Sequence, residues 1–114
     1  MQTPNAAIVT DGDMTGTEVI YSDPISLDKF VCCFIQAVWT GTPNGSFKVQ
    51  ICGDADEVTP TNWGDYPDST VAVTGAAGSH HWDIVKTGAS WARLVYTNTS
   101  GTGVLNVRSN LKGN

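Results

Sequence analysis

Apolar and polar side chains alternate with a period of two along most of this sequence, and no other feature constrains the fold as strongly. The stretch FVCCFIQAVW, residues 30–39, is apolar on both sides of an extended chain, as in a central strand or one covered by a partner. One side carries Val31, Cys33, Ile35, Ala37 and Trp39, and the other carries Phe30, Cys32, Phe34 and Val38. No segment has the i, i+3, i+4, i+7 apolar spacing over the length that a helix needs. The sequence therefore predicts an all-β chain.

Gly, Pro and Asn separate these segments at intervals of about ten residues, which is typical of β-sandwiches and barrels. Bulky Trp, Phe, Val and Ile side chains favour a filled interior. We therefore predict an antiparallel β-sandwich, jelly-roll-like, with about seven to eight short strands. The turn GTPNG, residues 41–45, predicts a hairpin that pairs the central run with SFKVQICG. In that partner strand Phe47, Val49 and Ile51 are expected to face inward and Cys52 outward.

A length of 114 residues fits one domain. Residues 1–16 hold few apolar side chains, so we predict an N-terminal arm over 1–16 that can extend from the body. The β-sandwich domain is then expected over residues 17–114.

Composition argues against several classes of function. Eleven acidic and six basic residues give a net charge of −5 with no cluster of Lys or Arg, so no nucleic acid partner is expected. No apolar run is long enough to cross a bilayer, and the first residues lack the basic and apolar parts of a signal peptide. We therefore expect no membrane partner and synthesis in a cytoplasm. The odd number of cysteines, Cys32, Cys33 and Cys52, predicts free thiols rather than disulfides or zinc ligands.

The segment CGDADEVTPTNWGDYPDS, residues 52–69, is the most acidic part of the chain. Its five carboxylates could bind a hard cation, but their spacing matches no calcium loop and two prolines break the segment into turns. These carboxylates are Asp54, Asp56, Glu57, Asp65 and Asp68. Asp also favours turns because its side chain bonds nearby backbone amides. We predict a structural connection between strands here, with a metal site as the alternative.

Two further patterns were weighed as chemical sites. DGDMTG, residues 11–16, resembles the start of an EF-hand loop, but Thr15 stands at the fifth position and Ser22 at the twelfth. His80 and His81 are adjacent, so in a strand they point to opposite faces and cannot converge on one atom, although His81 shares a face with Asp83. We predict no catalytic residue, no metal site, no cofactor and no enzymatic activity.

Four tryptophans are many for a chain of this length, and aromatic faces are common sugar-binding surfaces. Trp82 and Trp91 lie in alternating strands and are expected to fill the core. Trp63 lies in a loop beside Gly64, so Trp63 with Tyr66 is the candidate glycan contact.

Three stretches between about residues 29 and 112 carry a resemblance to a known family: QAVWTGTPNGSFKVQ, TNWGDYPDSTVAVTGAAG and ARLVYTNTSGTGVLNV. In order and spacing they resemble the small β-sandwich virion structural proteins, capsid decoration or cement proteins, of tailed bacteriophages. The resemblance implies a jelly-roll-like protein without enzymatic activity, present in many copies on the virion capsid surface and made in the host cytoplasm. The implied partners are the major capsid protein and further copies of the chain, as a homodimer or homotrimer.

The resemblance places the chain as a decoration protein that stabilises contacts between major capsid proteins. The alternative is a head or tail appendage that binds host surface glycans. Contacts with subunits or capsid are expected at Phe30 and Phe34, since the opposite face of their strand already supplies the core, and at Ile8 and Val9 in the arm. The low charged fraction of 15% suits burial at such interfaces.

Overall fold

The structure is a computed structural model that describes residues 5–17, 19–27, 32–54, 59–85 and 89–112. Ten strands occur among the described residues: β1 (Asn5–Asp13), β2 (Val19–Tyr21), β3 (Ile25–Ser26), β4 (Cys32–Gly41), β5 (Asn44–Cys52), β6 (Trp63–Asp65), β7 (Val71–Thr74), β8 (Gly78–Val85), β9 (Trp91–Ser100) and β10 (Gly103–Lys112). Within those ranges, no helix is long and apolar enough to span a membrane. The prediction of an all-β chain is confirmed.

Two antiparallel sheets pack face to face. The first sheet has the order β1-β10-β4-β8, and the second has the order β2-β9-β5-β6, with β3 also on β9 and β7 also on β5. The first strand therefore pairs with the last, β2 and β3 with β9, β4 with β8, and β5 with β6 and β7. This nesting of strand pairs is the jelly roll that the sequence predicts. The count exceeds the prediction because two of the eight strand positions are each split into two short strands.

Alternation places one face of each long strand in the core. In β4 the residues Cys33, Ile35, Ala37 and Trp39 are buried, as predicted. Phe47 lies at the centre of the core, with its ring centroid 4.6 Å from Tyr96 and 5.1 Å from Trp39. Burial of a side chain of this size contributes about 1.5–3 kcal/mol. These rings therefore supply much of the cohesion between the two sheets.

The predicted hairpin over residues 41–45 is wrong, because β4 and β5 belong to different sheets. The connection crosses the sandwich beside the β9–β10 connection, and the Thr42 amide donates to the Thr102 carbonyl at 2.8 Å. Gly41, at the end of β4, and Gly101, between β9 and β10, adopt φ of 86° and 81°. Each glycine lies where the backbone of the other connection leaves no space for a side chain. Two turns that look local in the sequence are thus one packed unit.

The two split edges of the second sheet are each bridged by a buried serine. Ser22 follows β2, and its hydroxyl accepts a hydrogen bond from the Leu94 amide of β9 at 2.9 Å. Ser69 precedes β7, and its hydroxyl accepts from the Val49 amide of β5 at 3.0 Å. Leu94 and Val49 are register partners. The two serines therefore accept the outward backbone hydrogen bonds of the Leu94–Val49 pair, where the split edge strands do not.

The predicted arm over residues 1–16 is, in its described part, integral to the sandwich. β1 pairs with β10 from Asn5 to Asp13. Met14 is fully buried, and its amide donates to the Gly103 carbonyl at 3.0 Å. A stretch with few apolar residues is held there by backbone pairing and by Ile8 and Met14, which enter the core.

Candidate functional site

The outer face of the second sheet carries a cluster of aromatic and charged side chains that we call the Arg93 cluster: Tyr21, Lys48, Gln50, Trp63, Asp65 and Arg93. Strand register brings them together. Arg93 of β9 is the partner of Gln50 in β5, and Gln50 is the partner of Asp65 in β6. Tyr21 of β2 lies opposite Val95, one outward position along β9 from Arg93. Four strands thus contribute to one surface.

Arg93 lies between two aromatic rings. Its guanidinium carbon is 4.5 Å from the centroid of Tyr21 and 4.3 Å from the centroid of Trp63. Cation–π attraction contributes about 0.5–1 kcal/mol at exposed sites of this kind. The Nε and Nη2 atoms of Arg93 both donate to Oε1 of Gln50, at 2.9 Å and 2.7 Å. The guanidinium is therefore held by two ring contacts and by hydrogen bonds along one edge.

Asp65 extends the hydrogen bonding from Arg93 and Gln50 to the next strand. Its Oδ1 accepts from Nε2 of Gln50 at 3.2 Å and lies 3.2 Å from Nζ of Lys48. The hydrogen bond from Gln50, and then the one from Lys48, lowers the pKa of this carboxyl from its usual 3.8. Desolvation lowers the pKa of Arg93 from its usual 12.5, and a guanidinium stays protonated in proteins. Both groups are charged near neutral pH.

The structure separates the two residues predicted as a glycan contact. Trp63 is half-buried and belongs to the Arg93 cluster. Tyr66 packs against the core, and its amide donates to the Val49 carbonyl at 2.8 Å. Sequence reasoning missed Arg93 as the contact of Trp63, and it missed Tyr21 and Gln50 as the contacts of Arg93. Alternation does mark their outward direction, but only the strand order brings them together.

Trp91, which was expected in the core, instead lies half-buried outside the core cluster. Its strand neighbour Ala92 takes the inward position and is fully buried. Trp91 is the register partner of Cys52, which points away from the core as predicted. Cys52 is nevertheless 2% exposed. Local loop structure covers it, and the Asp54 amide lies 3.4 Å from its sulfur.

The outer face of the first sheet also carries exposed apolar side chains. Val38 of β4 and Val104 of β10 are 46% and 41% exposed. Phe34, two outward positions before Val38, is half-buried and stacks on His81 with ring centroids 5.2 Å apart. We call Phe34, Val38 and Val104 the first-sheet patch.

The other predicted contact residues do not join this patch. Ile8 is 7% exposed and belongs to the core cluster, so its side chain packs within its own domain. Val9 is partly buried against the same core. Phe30 lies outside the described residues.

The acidic segment after β5 is organised around Asp54. Its carboxylate accepts hydrogen bonds from the Thr61 amide at 2.8 Å, the Asn62 amide at 3.2 Å and the Asn62 side chain at 3.0 Å. These bonds, led by the Asn62 side chain, hold the pKa of Asp54 well below its usual range. Asp56 and Glu57 lie outside the described residues. Asp54 thus acts as the acceptor that closes the loop, in keeping with the turn role predicted from sequence.

The residues of the EF-hand-like stretch and the two histidines lie in different parts of the fold. Asp13 accepts from the Thr15 hydroxyl, and the Asp11 amide donates to Asn106 at 3.0 Å. His80 sits edge-on to Trp82 at 4.7 Å, and its ring also lies near that of His81, with centroids 6.1 Å apart, although alternation predicts that the two point to opposite faces. Where the chain is described, no three His, Cys, Asp or Glu side chains meet as a metal site.

All three cysteines are free. Burial, and to a lesser extent the nearby Asp83, raises the pKa of Cys33 to about 12. A thiol with this pKa is protonated near neutral pH and is therefore a poor nucleophile or metal ligand.

No protein-family model matches the chain, and no curated protein matches it by sequence. Solved structures share its fold, among them the following two. The SPBc2 prophage-derived protein YomS has 12% identity and a TM-score of 0.54, over 96% of this chain and 92% of that chain. A chain in the structure of infectious bursal disease virus Gt strain has 8% identity and a TM-score of 0.59, over 97% of this chain. This chain spans 32% of that viral chain.

Proposed function

We propose that this chain is a structural protein of a bacteriophage particle, acting as a capsid decoration protein that binds the outer shell and stabilises contacts between major capsid proteins. The fold shared with a prophage-derived protein over nearly the full length of both chains supports this role. So does the fold shared with part of a viral chain, since jelly rolls are common in viral capsid domains. The proposed location is the capsid surface of the virion, after synthesis in the host cytoplasm. The role requires no catalysis, cofactor, nucleic acid or membrane.

The first-sheet patch is the observation that carries the proposal. Val38, Val104 and Phe34 lie on the face that points away from the core, so the fold does not need their apolar surface to close the sandwich. Protein interfaces combine such apolar anchors with polar surroundings, which here include Gln36 and His81. The patch is the proposed contact with the shell and with further copies in a homodimer or homotrimer.

Binding to shells tests this role directly. Shells of the phage whose genome encodes the chain, prepared without it, should take up the purified protein on co-sedimentation. Bound protein should raise the melting temperature of the shells, because a ligand that binds the assembled state stabilises it. Val104→Asp should abolish uptake by placing a charge in the contact. Val19→Asp is the matched control, because Val19 is also 41% exposed but lies on the outer face of the second sheet.

Phe34→Asp should likewise stop assembly onto the shell or prevent folding. Wild-type uptake of folded Val104→Asp and Phe34→Asp would exclude the first-sheet patch as the contact. Failure of the unmodified protein to bind shells would exclude the decoration role itself.

The exposed Arg93 cluster favours a second candidate, an appendage that binds host surface glycans. Retention of glycans by the isolated protein on an array would support that role.

A further inference from the structure

The Arg93 cluster lies on the opposite side of the sandwich from the first-sheet patch. A subunit that binds a shell through the first sheet would therefore leave this cluster facing outward. Nothing in the shell contact proposed above uses it.

Arg93 offers an unused donor edge. Nε and Nη2 donate to Gln50, whereas Nη1 donates to none of the residues that the structure describes. The rings of Tyr21 and Trp63, together with Gln50, hold the guanidinium in place. The Arg93 side chain therefore loses little conformational entropy when a ligand binds. A planar guanidinium pairs with a carboxylate through two parallel hydrogen bonds.

The net charge of the Arg93 cluster favours a ligand with a single negative charge. Lys48 and Arg93 carry two positive charges against the single negative charge of Asp65, in a chain with a net charge of −5. The local excess of one positive charge matches one anionic group. A polyanion would meet repulsion from the rest of the chain.

Aromatic surface completes the site. Tyr21 is 57% exposed beside the guanidinium, and its ring can pack against the C–H groups of a sugar while its hydroxyl accepts or donates a hydrogen bond. We propose that the Arg93 cluster binds a sugar that bears a carboxylate, with Arg93 pairing with the carboxylate and Tyr21 contacting the sugar ring. This inference rests on the glycan-binding candidate and names its sugar class.

Titration of the isolated protein followed by ¹H–¹⁵N NMR tests the site. The probes are N-acetylneuraminic acid and glucuronic acid, with glucose and acetate at the same concentrations as controls. One or both acidic sugars should shift the Trp63 indole and Arg93 Nε resonances saturably, with at least about tenfold weaker effects from glucose and acetate, because a charge-assisted bidentate pair and ring contact are each lost.

Variants assign the interaction to Arg93. Arg93→Gln should weaken binding at least about tenfold. Arg93→Lys keeps a positive charge beside the rings but removes the two parallel N–H donors of the guanidinium. It should weaken binding in the same way, and it replaces Arg93→Gln if that variant does not fold. Arg108→Gln is the matched control, because Arg108 lies on the outer face of the first sheet and its loss should leave binding unchanged.

The absence of saturable shifts with both acidic sugars would overturn the proposal, as would equal binding of acetate or unchanged binding by both folded Arg93 variants. Retention of neutral glycans alone on an array would overturn it too, while leaving the appendage role intact. Loss of shell binding by Val104→Asp bears on the decoration role and not on this site.

Discussion

Gly16 and Gly101 share a left-handed backbone but differ in their surroundings. Gly16 has φ of 66° with no atom within 4 Å of an added Cβ, whereas Gly101 has φ of 81° and its added Cβ would meet the Thr42 carbonyl. A side chain in this conformation costs about 1–2 kcal/mol at either position. At Gly101 the side chain would also displace the Thr42 turn, whose amide bonds to Thr102.

We therefore expect Gly101→Ala to lower the free energy of unfolding by at least about 1 kcal/mol more than Gly16→Ala, since steric overpacking typically costs 1–3 kcal/mol. Urea unfolding followed by tryptophan fluorescence measures both variants. Equal destabilisation would mean that the two connections do not pack as a unit.

Asp54 gives the acidic segment a pH dependence. Its pKa lies below the usual 3.8 because its ionised form accepts several hydrogen bonds. The carboxylate therefore contributes its full stabilisation of the loop above about pH 4, and this contribution is lost as the pH falls through the lower pKa of the folded state. The Thr61 and Asn62 amide resonances should keep their positions down to pH 4 and shift only in more acidic solution. A midpoint near 3.8, or an unchanged titration in Asp54→Asn, would rule out this role.

At the scale of strands, Ser22 and Ser69 replace backbone pairing where the edges of the second sheet break. Each accepts a hydrogen bond from a central strand, and Ser22 and Ser69 are 4% and 3% exposed. Removal of either hydroxyl would leave the Leu94 or Val49 amide without its partner in a buried position. Such a group costs about 1–3 kcal/mol.

Ser22→Ala and Ser69→Ala should each destabilise the protein by about 1–3 kcal/mol. Ser79→Ala is the control, because Ser79 is exposed in β8 and its substitution should change stability by less than about 0.5 kcal/mol. Chemical denaturation measures all three. If the buried serine variants match the Ser79 variant, the split edges are held by other contacts.

Sequence reasoning succeeds for strands and fails for some of their connections. Alternation in residues 32–39 predicts which side chains are buried because one face must meet the core. The turn GTPNG is read as a hairpin because positive φ and proline suit a tight reversal and a crossing between sheets equally well. Sheet membership depends on β9 and β10, which begin only at residues 91 and 103 of the chain.

For the whole molecule, the jelly-roll arrangement follows from strand number and turn spacing, but the Arg93 cluster does not. Its members come from β2, β5, β6 and β9, and their contact follows from the strand order of the second sheet. Trp63 attracts notice in the sequence as a loop aromatic, whereas Arg93 looks like an ordinary outward-facing residue until Tyr21 and Gln50 are placed beside it.

The position of β10 between β1 and β4 ties closure of the first sheet to the synthesis of residues 103–112. Until residues 103–112 leave the ribosome, a nascent chain has no bridge between β1 and the β4–β8 pair, and their edges stay open. The first sheet can therefore close only after residues 103–112 have been translated, and until then the cell must keep those open edges from aggregating.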